Sequence, residues 1–157
     1  MTVALITPPA SEPLGLSEIK AHLRIDHDHE DVLLTELLKT ARQHTEFASG
    51  QKLITQVWRQ YESCLPENAE LPLKVGPVQS VETVTAFDAS GAPHVLASND
   101  FQLIRGSEPS HLGINLGSNA HLFENGCEID VVVGIGDLGI DVPETLKRAI
   151  LLLIAHW

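Results

Sequence analysis

Residues 26–31 read Asp-His-Asp-His-Glu-Asp, six consecutive side chains that could each ligate a metal ion or move a proton. Carboxylate oxygens and imidazole nitrogens together suit a hard or borderline cation. Adjacent residues converge on one ion only when a glycine-shaped loop folds them inward, and no distant set of partners accompanies this run. The expectation is therefore a solvated acidic helix start, with His27 and His29 able to tune a charged interface by protonation. A small metal-dependent enzyme using Asp26–Asp31 is the alternative that this cluster keeps open.

The segment GIGDLG, Gly134 to Gly139, has the spacing of a dinucleotide fingerprint and lies between a strand pattern and a helix pattern. In that fingerprint the glycines let backbone approach a pyrophosphate at a helix N-terminus, and the third glycine sits where helix meets strand. Here Pro143 puts the helix start beyond the third glycine, and Asp137 would present negative charge to the phosphates. The acidic ribose ligand, expected about 20 residues further on, has no place in the sequence. The segment reads as a glycine-rich turn from strand to helix.

Nucleophilic chemistry finds no G-x-S-x-G elbow, and His22, His44, His94, His111, His121 and His156 are scattered singly. Cys64 and Cys127 fit neither a zinc pattern nor a disulfide framework, which points to a reducing compartment. No enzyme, cofactor or metal is expected. Lys plus Arg number 10 against 21 acids, a formal net charge of −11, which argues against a protein that grips nucleic acid. No Lys or Arg stands between Arg105 and Lys147, whereas Glu108, Glu124, Glu128, Asp130, Asp137, Asp141 and Glu144 all do. Such a block reads as a solvated face, and one that would also repel DNA sliding past it. The start of the chain lacks the basic region and apolar core of a signal peptide, and no apolar run approaches a membrane span.

The elements that would carry these residues follow from pattern. Residues 1–15, with Pro8, Pro9, Pro13 and Gly15, read as an extended N-terminal arm rather than a packed element. Ser17 offers an N-cap to a helix of about two turns, and Asp28 offers one to a longer helix over Val32 to Ala48. That helix groups Leu33, Leu34, Leu37, Leu38, Ala41 and Ala48 on one face and stops at Gly50. From Leu53 to Ile135 the chain turns to valine- and isoleucine-rich segments broken by turn residues, including a hairpin turn at Asp88–Pro93. Ile129, Val131, Val133 and Ile135 alternate as a half-buried strand requires. Asp141 with Glu144 reads as a capping box, and Pro143 as the first position of a last helix. The predicted class is α+β: two N-terminal helices (16–50) and a C-terminal helix (137–157) form a bundle. A mostly antiparallel β-rich insertion (51–136) lies between them, all within one compact domain.

Every residue from Ala149 to Ala155 is apolar. A helix that is hydrophobic all round must be buried all round, either by its own domain or by another subunit. Ile150, Leu151, Leu152, Ile154 and Trp157 are therefore the candidate subunit or partner interface. No C-cap signal precedes the end at Trp157, so a continuing helix or tail is expected.

Several strings, taken together, carry a resemblance. LSEIKAHLRIDHDHEDVLLTELLKTARQHTEFASGQKLITQVW, LPLKVGPVQSVETV, NDFQLI and VVVGIGDLGIDVPETLKRAILLLIAHW resemble the head–tail connector (adaptor) proteins of tailed bacteriophages. They are similar to the subgroup with a β-rich insertion, which also occurs in gene transfer agents. The resemblance runs from Leu16 to Trp157 and implies a structural role rather than a catalytic one. Members form a ring, usually of twelve subunits, beneath the portal protein. The ring extends the DNA channel, lets DNA pass without specific binding, and gives a stopper or tail-completion protein a surface to dock on. By position, the helix of Val32 to Ala48 and the helix from Pro143 would form the ring wall, with the strands peripheral. The implied location is the neck of a virion or phage-like particle made in a bacterial cytoplasm, with no membrane involved. The family's portal-binding tail follows the last helix, so that function is expected to be shortened or absent here and falls on no residue of this sequence. A neck or tail-completion protein of the same particle is the alternative within this reading.

Overall fold

A computed structural model describes residues 3–107, 109–117 and 119–157. The chain divides into two compact units, one of residues 1–8 and 56–133 and the other of residues 9–55 and 134–157. Its architecture is α+β.

The first unit is built from strands. Five of them form an antiparallel sheet in the order β1 (Val3–Thr7), β2 (Gln56–Glu62), β8 (Cys127–Val133), β4 (Val78–Phe87), β5 (Pro93–Val95). A second sheet has the order β3 (Glu70–Pro72), β7 (His111–Ile114), β6 (Phe101–Ile104). The central strand β8 shows why alternation predicts it so well: Cys127, Ile129, Val131 and Val133 are buried, with Glu128, Asp130 and Val132 between them on the other face. Val84, Ala86, Leu71, Leu73 and Leu112 complete that core. Gln60, also fully buried, is satisfied on both sides of its amide. Its Nε2 donates to the Pro72 carbonyl at 2.9 Å, and its Oε1 accepts from the Lys74 N–H at 2.9 Å.

The reading of residues 1–15 as an unpacked arm is amended here, because Val3–Thr7 is an edge strand on β2. The prolines that suggested an arm begin only at Pro8. The strand buries none of its residues fully, so no periodic signal marks it.

The second unit holds α1 (Leu16–Leu23), α2 (Asp31–Ser49) and α3 (Glu144–His156). Ile19, Leu34, Leu38, Ala41, Leu53, Ile54, Val142, Ile150 and Ile154 form its core. Helix α2 ends at Gly50, in the left-handed conformation at φ 70°. The three expected N-caps are replaced by other contacts. Gly15 precedes α1, and its N–H donates to Glu18 Oε2 at 2.7 Å, leaving Ser17 inside the helix. Asp28 accepts instead from Lys20, and Glu30 stands at the cap position of α2. Asp141 accepts from the Leu138 N–H at 3.0 Å, closing a short 3₁₀ turn over Gly139–Asp141 that delays the start of α3.

Candidate assembly surface

Helix α3 is apolar around its circumference, yet within the chain only one side is covered. Ile150 and Ile154, one turn apart, are buried in the helical core, and Leu151 and Leu153 are half-buried. Leu152 is 55% exposed and Trp157 52% exposed. Of the two ways of covering the helix, burial by its own domain accounts for one side only, and its outer side lies open in the single chain. Ile150 and Ile154 are committed to the chain's own core, which narrows the candidate interface to Leu151, Leu152 and Trp157.

Helix α2 adds to this surface in a way that its sequence pattern conceals. The apolar positions split into two stripes. Leu34, Leu38, Ala41 and Thr45 are buried, whereas Leu33 is exposed, Leu37 half-buried and Phe47 87% exposed. Leu33, Leu37, His44 and Phe47 recur at helical spacing on a second stripe, and the His44 ring meets the Trp157 indole edge-on at 6.1 Å. The signal was present in the extra apolar residues flanking the core stripe, Leu33 and Phe47, which a single-face reading merges or omits. Ala48, assigned to the core face, is exposed.

The buried stripe ends in charge. Arg42 and Glu46 are almost wholly buried, with the Arg42 Nε donating to Glu12 Oε2 at 2.8 Å and its Nη1 lying 3.3 Å from Glu46 Oε1. Glu46 Oε1 also accepts from the Leu53 N–H at 3.1 Å, and Lys52 Nζ lies 3.7 Å from Glu46 Oε2. One network thus fixes the proline-rich segment before α1 and the chain after α2 to the same helix.

GIGDLG has a packing role. At Gly134, with φ +144°, a Cβ would lie 2.7 Å from the Thr55 backbone nitrogen, and at Gly139 a Cβ would lie 2.4 Å from the Pro13 carbonyl oxygen. The Thr55 N–H donates to the Gly136 carbonyl at 2.9 Å, and the Ile135 N–H to the Lys52 carbonyl at 3.1 Å. These glycines bring the loop against neighbouring backbone and leave the peptide groups bonded within the chain.

The Asp26–Asp31 run likewise has an occupant. Lys20 Nζ donates to Asp28 and, at 2.9 Å, to Asp31. Those bonds raise the pKa of Lys20, and the Lys20 ammonium lowers that of Asp28. Among the described residues no group of three or more His, Cys, Asp or Glu side chains could hold a metal ion. Part of the cation-free block between Arg105 and Lys147 is also neutralised: Arg59 grips Asp130 through two bonds of 2.7 and 2.8 Å and lies 2.9 Å from Glu128. Glu108 lies outside the described residues. No helix among the described residues is long and apolar enough to cross a membrane.

An open apolar helix surface over a firmly tied helical unit is suited to assembly, and comparison with known proteins agrees. Residues 14–87, just under half of the chain, match the family described as Phage gp6-like head-tail connector protein. Over that stretch the chain resembles the head–tail connector proteins of that family. In fold the chain is similar over 99% of its length to a chain from the neck of an empty GTA particle computed with C6 symmetry. That match has a TM-score of 0.82 and 24% identity, and covers 83% of the other chain. A chain from the virion of a native gene transfer agent (GTA) particle gives 0.80 at 23% identity, covering 99% and 83%. One from the neck of a native GTA particle computed with C12 symmetry gives 0.79 at 24%, covering 99% and 82%. No curated protein sequence matches the chain.

Proposed function

We propose that the chain is a structural subunit of a closed ring in the neck of a phage or phage-like particle, below the portal protein, where it extends the DNA channel and joins head to tail. The observation that carries this reading is the family match over residues 14–87, which spans α1, α2 and the first strands after them. The GTA neck structures with which it shares a fold add support.

Ring closure uses a heterologous contact, one face of a subunit against a different face of the next. The open side of α3, with Leu151, Leu152 and Trp157, and the outer stripe of α2, with Leu33 and Phe47, supply apolar area for it. Twelve copies are the number expected in the particle. A stopper or tail-completion protein docks on the side away from the portal. DNA passes without specific binding, consistent with a net charge of −11.

Solution mass tests this reading. The purified chain is measured alone and mixed with the portal protein encoded in the same gene cluster. A portal peak that grows by one connector per portal subunit is the expected result. A shift of a tail protein instead, with the portal peak unchanged, would make the chain a tail-completion protein, and a shift of neither would refute the connector role.

A further inference from the structure

The helix unit carries a further exposed apolar patch, away from the open side of α3. In the turn before α3, Leu138 is 58% exposed and Ile140 84% exposed, with the exposed Asp137 beside them. Nothing in the turn itself asks for large apolar side chains. Its shape is set by Gly139, where a Cβ would lie 2.4 Å from the Pro13 carbonyl oxygen, and by Asp141, which accepts from the Leu138 N–H at 3.0 Å. Ser11 Oγ donates to the Asp137 carbonyl at 2.9 Å, and Val142 is buried, so the turn is tied down on both sides of its apolar tip. An apolar knob already held in one conformation loses little freedom when it is covered.

The open side of α3 answers this patch in kind. At about 100° per residue, Thr145, Arg148, Leu152 and His156 share one side of the helix, and all four are exposed. Arg148 stands one turn from Leu152. Neither its guanidinium nor the Asp137 carboxylate has a partner among the described residues, although acids outnumber cations 21 to 10. The two patches do not cover each other within one chain. Ile140 borders a hollow that Lys147 lines, and Lys147, with 13% of its side chain exposed, turns towards the covered side of α3. Leu152 lies about 140° round the helix from Lys147.

We propose that the Asp137–Ile140 turn of one copy docks on the open side of α3 of the next. Leu138 and Ile140 lie against Leu151 and Leu152, and the Asp137 carboxylate accepts from the Arg148 guanidinium. The occupant is a second copy because charge selects it. A partner of net charge −11 is repelled by most of this surface, and Arg148 beside an apolar strip is where its acidic, apolar turn is attracted. Each copy presents one turn and one helix face, so head-to-tail contacts repeat identically around a ring. This inference rests on the connector reading and names the two faces that meet.

Charge reversal tests the contact. Asp137→Arg puts two cations together in it and Arg148→Glu two acids, and both positions are exposed, so each variant should keep the parent melting temperature. Each alone should need at least tenfold more chain than the parent to complete the ring on the portal protein. An equimolar mixture of the two should return to within twofold of the parent, because alternating copies restore an opposite-charge pair at every contact. Single variants that assemble like the parent, or a mixture that gives no rescue, would overturn the contact and leave the connector role standing. A parent chain that leaves the portal mass unchanged would instead remove the connector role. The contact is then decided without portal, in a Cys64→Ser background that leaves only the buried Cys127. Concentrated Asp137→Cys and Arg148→Cys chains should form a disulfide-linked dimer under an added disulfide oxidant only when mixed, and no such dimer would overturn the contact.

Discussion

The strand unit and the helix unit treat their apolar residues differently. In the strand unit the large side chains of the central strand turn inward and are closed off, with Ile129, Val131 and Val133 fully buried. Its exposed large apolar residues are Leu5 and Ile6 on the edge strand β1, Tyr61, and Val95 on the edge strand β5. In the helix unit seven large apolar residues are exposed, among them Phe47 at 87%, Ile140 at 84% and Leu152 at 55%. That unit also encloses an Arg42–Glu46 pair, whereas the buried polar side chains of the strand unit, among the described residues, are the neutral Gln56 and Gln60. The strand unit is finished by its own side chains, while the helix unit is held firmly inside and left apolar outside. Large apolar side chains left open in this number suit an interaction surface.

The comparison breaks most readily at Glu46. Glu46 is shared by Arg42 and Lys52, and Arg42 keeps its bond to Glu12, so removing Glu46 costs at most the roughly 3–5 kcal/mol of a fully stranded buried charge. Glu46→Ala also leaves the buried Leu53 N–H without its acceptor. The expected outcome is loss of that stability in urea unfolding of the free chain. Gln60→Ala should cost less, since no charge is stranded. Equal losses would contradict the contrast between a charged and a neutral interior.

A second test sets a buried α3 residue against an exposed one. Ile150→Ala removes a fully enclosed side chain and should cost about 2–5 kcal/mol, as should Ile129→Ala in the strand unit. Leu152→Asp sits on the open side and should leave the unfolding free energy within about 0.5 kcal/mol of the parent. The same variant should fail to close the ring with portal present, read by solution mass. A Leu152→Asp chain that assembled normally would remove this face from the interface.

What the sequence disclosed follows the same division. Period-two alternation exposed the core of β8, Ile129 to Val133, because one face is buried and the other is not, but it overran to Ile135 and missed the start at Cys127. The extent of α2 was legible from its leucines and Gly50. Its surface stripe was not, because Leu33 and Phe47 flank the core stripe and hydrophobicity alone cannot say which of two apolar stripes a domain covers. β1 was hidden by the prolines after it and by a lack of buried positions. The caps were misassigned wherever a side chain found a better partner in three dimensions: Asp28 with Lys20, and Asp141 with the Leu138 N–H.

Gly134 probes how closely the loop after β8 must pack. Alanine there would hold φ +144° with a Cβ 2.7 Å from the Thr55 nitrogen, whereas at Gly91, with φ +80°, a Cβ would meet nothing within 4 Å. Both substitutions carry the cost of an unusual backbone conformation, about 1–3 kcal/mol. Gly134→Ala adds a backbone clash that flexible side chains cannot relieve. It should therefore be clearly the more destabilising of the two in a thermal melt.

The smallest expected effect lies in the β4–β5 hairpin and separates charge at an exposed turn from charge in the helical interior. Asp88 accepts from the Ser90 N–H and Oγ and the Ala92 N–H, and lies 2.7 Å from His94 Nε2. Ser90 first, then His94 and Ala92, hold its carboxyl well below the ordinary range near about 3.9. A carboxyl depressed in the folded state stabilises above its unfolded pKa, and that contribution drains away as pH falls below it towards the folded value. Melting temperature should thus fall more steeply with acid below about pH 4 in the parent than in Asp88→Asn, while the two curves run parallel at neutral pH. Parallel curves throughout would mean that the turn is held by its backbone bonds alone, and that charge matters to this fold only where it is enclosed beside α2.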